Sequence, residues 1–170
     1  MNEILTYPDP FLKKEAIIVN DIQSTIVQNE IELMNNVLKD VGGLGLASIQ
    51  VGMIDSIILY REHGQPLEDL NVLINGKISS ILDTNLQRSE EGCFSLPEVF
   101  IPIRRYKKIE VVGLNRLGEK VKIEADGMLS NVLQHEIDHV NGMLMIDRLS
   151  RLQKRLFKKK LKGLKFNIKV

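Results

Sequence analysis

The sequence predicts an α+β fold: antiparallel β-sheet packed around a central His-Glu-x-x-His helix, with one helix near the N-terminus and a basic helix at the C-terminus. Three observations predict it. Apolar residues recur at helical spacing in three separate stretches, near residues 24–41, 128–141 and 150–161. Short β-branched runs and a turn signature lie between the first two, an order that suits helices packed on an antiparallel sheet. No repeat, low-complexity stretch or Pro/Ser-rich linker interrupts the chain of 170 residues, so 1–170 reads as one domain with a basic helix or tail over about 148–170.

The opening Tyr7-Pro8-Asp9-Pro10 carries two prolines and reads as a turn-rich or extended arm. From Ser24 to about Val41, the apolar positions Ile26, Val27, Ile31, Met34, Val37, Leu38 and Val41 fit a helix, with Ser24 as N-cap and Gly42-Gly43 as its stop. Ile57 to Tyr60 and Val72 to Ile74 read as short buried strands. Lys108 to Gly113 and Lys120 to Ile123 flank Asn115-Arg116-Leu117-Gly118, a hairpin signal. Met128 to Asn141 forms the central helix and Gly142 ends it. From Ser150 to about Leu161 a second helical pattern runs, with Leu152, Leu156 and Leu161, and Leu149 just before it, on a narrow apolar stripe.

Composition bounds the functions available. The 44% hydrophobic content of a 170-residue chain can bury a core without disulfides or structural metals. No apolar run approaches the roughly 18–20 residues of a membrane span. No basic stretch leads into an apolar one at the start, so no secretory signal is expected. A single cysteine forms no internal disulfide and suits a reducing, cytoplasmic setting. No membrane or DNA partner is expected. The net charge of +1 hides an asymmetry: Arg148 to Val170 holds ten Lys or Arg and no acid, leaving 13 basic and 22 acidic residues before it, a net of −9.

The chemistry gathers around Gln134-His135-Glu136-Ile137-Asp138-His139. Residues four apart share a helix face, so His135 and His139 can grip one metal ion, and Glu136 can reach a water on that ion as general base. Two imidazoles leave such a site unfinished. His63 lies in a polar stretch and reads as an exposed loop residue, which leaves Cys93, in Glu91-Gly92-Cys93-Phe94-Ser95, as the better third ligand. The plainer reading of Cys93 is a small buried hydrophobe. In Gly43-Leu44-Gly45-Leu46-Ala47-Ser48-Ile49-Gln50 the small residues suit a backbone running close to a ligand, and Gln50 offers an amide to an oxyanion; a helix C-cap and tight turn also account for the first two glycines.

Together these segments resemble the peptide deformylase family, which is marked by a GxGLAAxQ-type loop, an EGCxS segment and a QHExDHxxG helix. Here they stand as Gly43 to Gln50, Glu91 to Ser95 and Gln134 to Gly142, in the family's order. The likeness extends to the opening ILTYPDPFLKK, the Pro97-Glu98 and Arg105 region, and the EADG before the helix. The resemblance implies a metallohydrolase that removes the N-terminal formyl group from formyl-methionyl nascent chains and releases formate. It implies that Cys93, His135 and His139 bind one divalent metal, with ferrous iron expected and zinc, nickel or cobalt also acceptable to these donors. It implies Glu136 as general acid/base, and Gln50 with the backbone N–H of Phe94 as the oxyanion site. Gly43, Leu44, Gly45, Glu91 and Gly92 are the expected substrate-binding backbone and rim, with Gly45 paired to the substrate main chain. Two residues depart from the pattern: Ser48 replaces an alanine, and Phe94 stands where many members have leucine.

Helix geometry places Val132 and Met128 on the face of His135, lining an apolar slot for the methionine side chain or packing in the core; Leu129, Leu133, Ile137 and Val140 face the core. Glu91 and Arg105 read either as a pair that orients the metal-bearing segment or as a surface ion pair. Asp138 reads as a solvent-side or supporting carboxylate. The basic tail is a solvated face or a dock for an anionic surface, and nascent-chain processing suggests the ribosome. Two alternatives compete. A zinc protease normally takes a third ligand downstream of its motif, yet after His139 the chain has no Glu or His. A non-enzymatic RNA-binding protein would bind no metal.

Overall fold

The computed structural model describes residues 4–66, 68 and 70–161, with side-chain positions also left aside for 156 and 158–161. Tyr7 to Lys13 forms a cis Tyr7-Pro8 turn and one turn of 3-10 helix over Pro10–Lys13, with Asp9 accepting a hydrogen bond from the Phe11 N–H. Helix α1 spans Thr25–Val41. Ser24 caps it through a bond to the Val27 N–H, and Gly42, at φ 74°, supplies the left-handed residue that ends it.

One antiparallel sheet follows, in the order β1 (Gly45–Ala47), β2 (Ile57–Tyr60), β3 (Asn71–Cys93), β4 (Leu96–Leu114) and β5 (Lys120–Asp126). Alternation along β2 explains why Ile57 to Tyr60 is apolar throughout. Ile57 and Leu59 join the cluster around Val27, Ile31, Met34 and Leu38 of α1, whereas Ile58 and Tyr60 join the cluster around Leu133, Ile137 and Val140 of α2 (Gly127–Val140). The sheet is therefore covered on both faces, and a strand buried on both faces loses its polar half. Leu129 packs against the α2-side cluster, as its place on the core face requires.

The expected short strand at Val72 is only the start of β3, which runs on for 23 residues to Cys93. Its first four residues pair with β2, and from Ile74 on it pairs with β4, running past the end of β5 beyond Asp83 as one arm of a long hairpin. The sequence hides this arm because most of residues 77–90 is exposed, so no apolar alternation marks it, and register shifts between Ile74 and Leu86 break the periodicity further. A 3-10 turn, Met145–Arg148, then leads into α3, Arg151–Leu161. Of the apolar stripe there, Leu149 is buried and Leu152 is exposed; the rest lies outside the described side chains.

Candidate active site

Three elements meet at one end of α2. The helix presents His135 and His139 one turn apart. The β3–β4 hairpin delivers Cys93, the last residue of β3, immediately before the two-residue turn Phe94-Ser95. Strand β1 and the 3-10 turn Ser48–Val51 bring Gly45 and Gln50 to the opposite side.

Cys93 Sγ lies 3.3 Å from His139 Nε2, which lies 3.2 Å from His135 Nε2. Three soft or borderline donors thus converge with their ligand atoms within 4.8 Å of one another. Donors held at about 2.0–2.3 Å around one tetrahedral ion stand about 3.3–3.8 Å apart, so this set fits a single metal after small adjustment. Burial and the facing His135 ring hold the His139 pKa well below its ordinary value, which keeps that ring neutral with a lone pair to give. Among the described residues no other group of three His, Cys, Asp or Glu side chains converges in this way.

Glu136 is buried beside the ligands, and burial raises its carboxyl pKa to about 7. Its Oε2 has no hydrogen-bond partner among the described residues. Gly45 lies against this carboxylate so closely that a Cβ there would sit 2.5 Å from Oε1. The glycine in the loop is thus explained by the Glu136 side chain, as well as by any ligand. Gln50 is fixed from both ends: its Oε1 accepts from the Ala47 N–H at 2.9 Å, and its Nε2 donates toward Ser95 Oγ at 3.3 Å and Cys93 Sγ at 3.6 Å. The amide hydrogens therefore face the metal-ligand cluster.

A cavity of about 560 Å³ opens onto these groups. Leu44, Gly45, Gln50, Glu91, Gly92, Cys93, Phe94, Met128, Val132, His135 and Glu136 all border it. Val132 is half-buried in its wall, whereas Met128 is 51% exposed and stands at its mouth. Gly43 lies behind the wall under the Phe94 ring, where a Cβ would meet ring carbons at 2.5 Å, and its carbonyl accepts from Arg61 Nε at 2.9 Å. Ser48 satisfies its extra hydroxyl by donating to the Asp55 carbonyl. His63 is exposed in the loop after β2, as expected of it.

The reading of Glu91 and Arg105 as a surface pair is overturned. Arg105 is 1% exposed, and its guanidinium donates to both Glu91 oxygens at 2.7 and 2.8 Å and to Asp138 at 2.5 Å. Asp138 in turn accepts two bonds from Arg148 at 2.5 Å, so it is a buried, doubly paired carboxylate and does not face solvent. Glu91 also meets His135 Nδ1 at 2.9 Å, which aims Nε2 at the other donors. Burial alone would raise the Glu91 pKa, but the bonds to Arg105 and His135 prevail and hold it at about 2. With both oxygens so engaged, Glu91 borders the cavity as a support for His135, and its carboxylate is not free to bind substrate.

Sequence reasoning missed several supports. Gln134 takes the place of a strand neighbour, accepting from the Tyr106 N–H at 3.2 Å and donating to its carbonyl at 2.9 Å. Asn131 ties α2 to β3 through Ser89 and Gln87. Both are buried polar residues on a helix, but nothing in their spacing names their partners.

Comparison with known proteins decides between the competing hydrolases. The sequence model described as polypeptide deformylase matches residues 1–155. The chain belongs to this family. It is 42% identical over 167 residues to the peptide deformylase of Thermodesulfovibrio yellowstonii, covering 94% of this chain and 96% of that one. The crystal structure of a peptide deformylase from Legionella pneumophila superposes with a TM-score of 0.86 at 33% identity, over 96% of this chain and 94% of the other. A peptide deformylase from Synechococcus elongatus, solved in complex with actinonin, gives 0.84 at 31% identity, over 95% and 88%. The enzyme is a metal-dependent hydrolase that removes the formyl group from the N-terminal methionine of nascent polypeptides. Neither the protease nor the non-enzymatic reading survives that membership.

Proposed function

We propose that Cys93, His135 and His139 hold one ferrous ion, that Glu136 moves the proton, and that Gln50 with the Phe94 N–H binds the oxyanion. The observation that carries the reading is the convergence of the Cys93 thiol and the two imidazole Nε2 atoms, with His139 at 3.3 Å from the thiol and 3.2 Å from His135, beside a Glu136 oxygen that no group among the described residues engages.

A divalent ion bound there supplies activation of water near neutral pH and polarisation of a carbonyl. The chain's own residues do the rest. Leu44 and Gly45 border the cavity opposite Glu91 and Gly92, leaving room for an extended formyl-peptide between two backbones, with its methionine side chain against Val132. Glu136 Oε2 takes a proton from water as the oxygen adds to the formyl carbon, then delivers it to the departing amine nitrogen. Gln50 Nε2 is held in place by Ser95, so it meets the developing negative charge without reorganising. The carbon–nitrogen bond breaks, leaving formate and a free methionyl amine.

Zinc, nickel or cobalt suits the same donors; iron is assigned on the family likeness, and both Fe(II) and thiolate are open to oxidation. The substrate arises on ribosomes, so we place the enzyme in the cytoplasm and assign the tail, with its ten Lys or Arg, to contact with ribosomal RNA. No described helix is long and apolar enough to cross a membrane.

The test is formate release from formyl-Met-Ala-Ser on protein purified without oxygen, with metal content measured on the same sample. Formate release with one iron per chain supports the assignment. Full activity with another metal, or no loss from the iron-loaded sample after long exposure to air, refutes the choice of ion. Truncation after Leu149 should remove salt-sensitive ribosome binding and spare activity on this peptide; ribosome binding that survives truncation refutes the tail's role.

A further inference from the structure

Arg88 and Arg104 stand directly opposite each other in the β3–β4 ladder, and both are exposed. Like charges at opposed cross-strand positions repel. Among the described residues neither guanidinium forms an ion pair. The two line a second cavity, about 770 Å³, between the hairpin and the start of α3, together with Arg148, Ser150 and Gln153. Among the described residues Asp147 is the one carboxylate bordering it, and Lys13 already engages that group. Arg151, Lys154 and Arg155 continue the positive surface along α3. The chain before Arg148 carries a net −9, so this basic groove stands against a body that is negative overall.

The position of the groove gives it meaning. Ser89 and Phe100 border the active-site cavity, and the nearby Arg88 and Pro102 of the same hairpin border the groove. The groove and the active-site cavity thus share the β3–β4 hairpin as a wall. Guanidinium pairs suit phosphodiester oxygens, which they meet in bidentate fashion, and a paired phosphate would relieve the repulsion between Arg88 and Arg104.

We propose that this groove seats the phosphate backbone of ribosomal RNA, with Arg88 and Arg104 as anchors alongside α3. The inference rests on the ribosome contact assigned above and specifies where the body of the enzyme meets the RNA.

The experiment uses the full chain and three proteins: wild type, Arg88→Glu/Arg104→Glu and Arg88→Lys/Arg104→Lys. Binding to purified bacterial ribosomes and to a labelled 20-nucleotide RNA is measured from 50 to 200 mM KCl, with formate release from formyl-Met-Ala-Ser as the control. The charge-reversed protein should bind both at least tenfold more weakly, with a log–log salt slope shallower by about 1.5, the share of two phosphate contacts. Its peptide turnover should match wild type, and the lysine variant should recover most of the affinity. Charge-reversed protein that binds ribosomes like wild type, while truncation after Leu149 abolishes binding, overturns the groove and leaves the tail's role standing. Wild-type binding to ribosomes without any binding to the free RNA points to an acidic ribosomal protein and overturns the choice of RNA. Wild type that fails to bind ribosomes overturns this inference and the ribosome contact together.

Discussion

Replacing Gly45 by alanine probes how tightly the reacting groups are held. The new Cβ would lie 2.5 Å from Glu136 Oε1 and 2.8 Å from both its Cδ and Cγ, where ordinary contact begins at 3.4 Å. Something must open by about 0.9 Å. The Gly45 backbone is committed to the β1–β2 ladder through Tyr60, and Glu136 is only 4% exposed, so neither has an easy retreat. Whichever yields, the carboxylate shifts by nearly 1 Å relative to the cavity wall. A displacement of that size at a reacting group costs on the order of 10²-fold in rate. The expected result is a kcat on formyl-Met-Ala-Ser roughly 100-fold below wild type by the same estimate, with metal content unchanged. Coupling formate release to a formate dehydrogenase reads the rate. The sharper control is the double-mutant cycle: once Glu136→Ala has removed the carboxylate, Gly45→Ala should cost less than about threefold. A Gly45→Ala enzyme within that threefold of wild type, or one with the same penalty in the Glu136→Ala background, refutes the reasoning.

Three further outcomes follow from groups around the site. Arg105→Met removes both arginine bonds from the buried Glu91, leaving it His135 alone, while Asp138 keeps Arg148; the loss should be about 3 kcal/mol in urea unfolding, and a loss under about 1 kcal/mol shows that the network is not buried as described. Arg61→Met removes the donor from the Gly43 carbonyl at the base of the Leu44–Gly45 wall, a bond worth about 1 kcal/mol, so KM should rise about fivefold with kcat nearly intact; a kcat loss at constant KM refutes a positioning role for Arg61. Glu30, half-buried beside Asp55, has its pKa raised to about 7 by burial first and the neighbouring carboxylate second. A raised folded-state pKa contributes stability in full below its unfolded value of 4.5, and that contribution is lost as pH rises through 7. Glu30→Gln should therefore be level with wild type near pH 4.5 and more stable by about 1–2 kcal/mol above pH 7, allowing for partial exposure; a difference independent of pH refutes the account.

What could be read in the sequence divides by physical cause. Helix α1 was legible because it buries one stripe, and α2, buried nearly all round, because its apolar residues still recur at helical spacing; Ser24, Gly42 and Gly142 mark where the backbone groups find their caps or leave the helix. The metal ligands were legible because the chemistry demands rare residue types, and His135 and His139 are related by one helical turn. The support around them was not. Arg105 sits beside Arg104 in the chain, yet strand alternation sends one into a buried network and the other to solvent, and composition cannot tell the two apart. Which face is which depends on the register of a hairpin whose outer half carries no apolar pattern and several register shifts. The same alternation assigns Glu91 to His135 and its neighbour Glu90 to the outside. A one-residue slip in β3 would exchange those neighbours, leaving Arg105 unpaired in the core and His135 without its partner. The buried Arg105 network therefore helps to fix that register, because the slipped alternative leaves buried charges uncompensated.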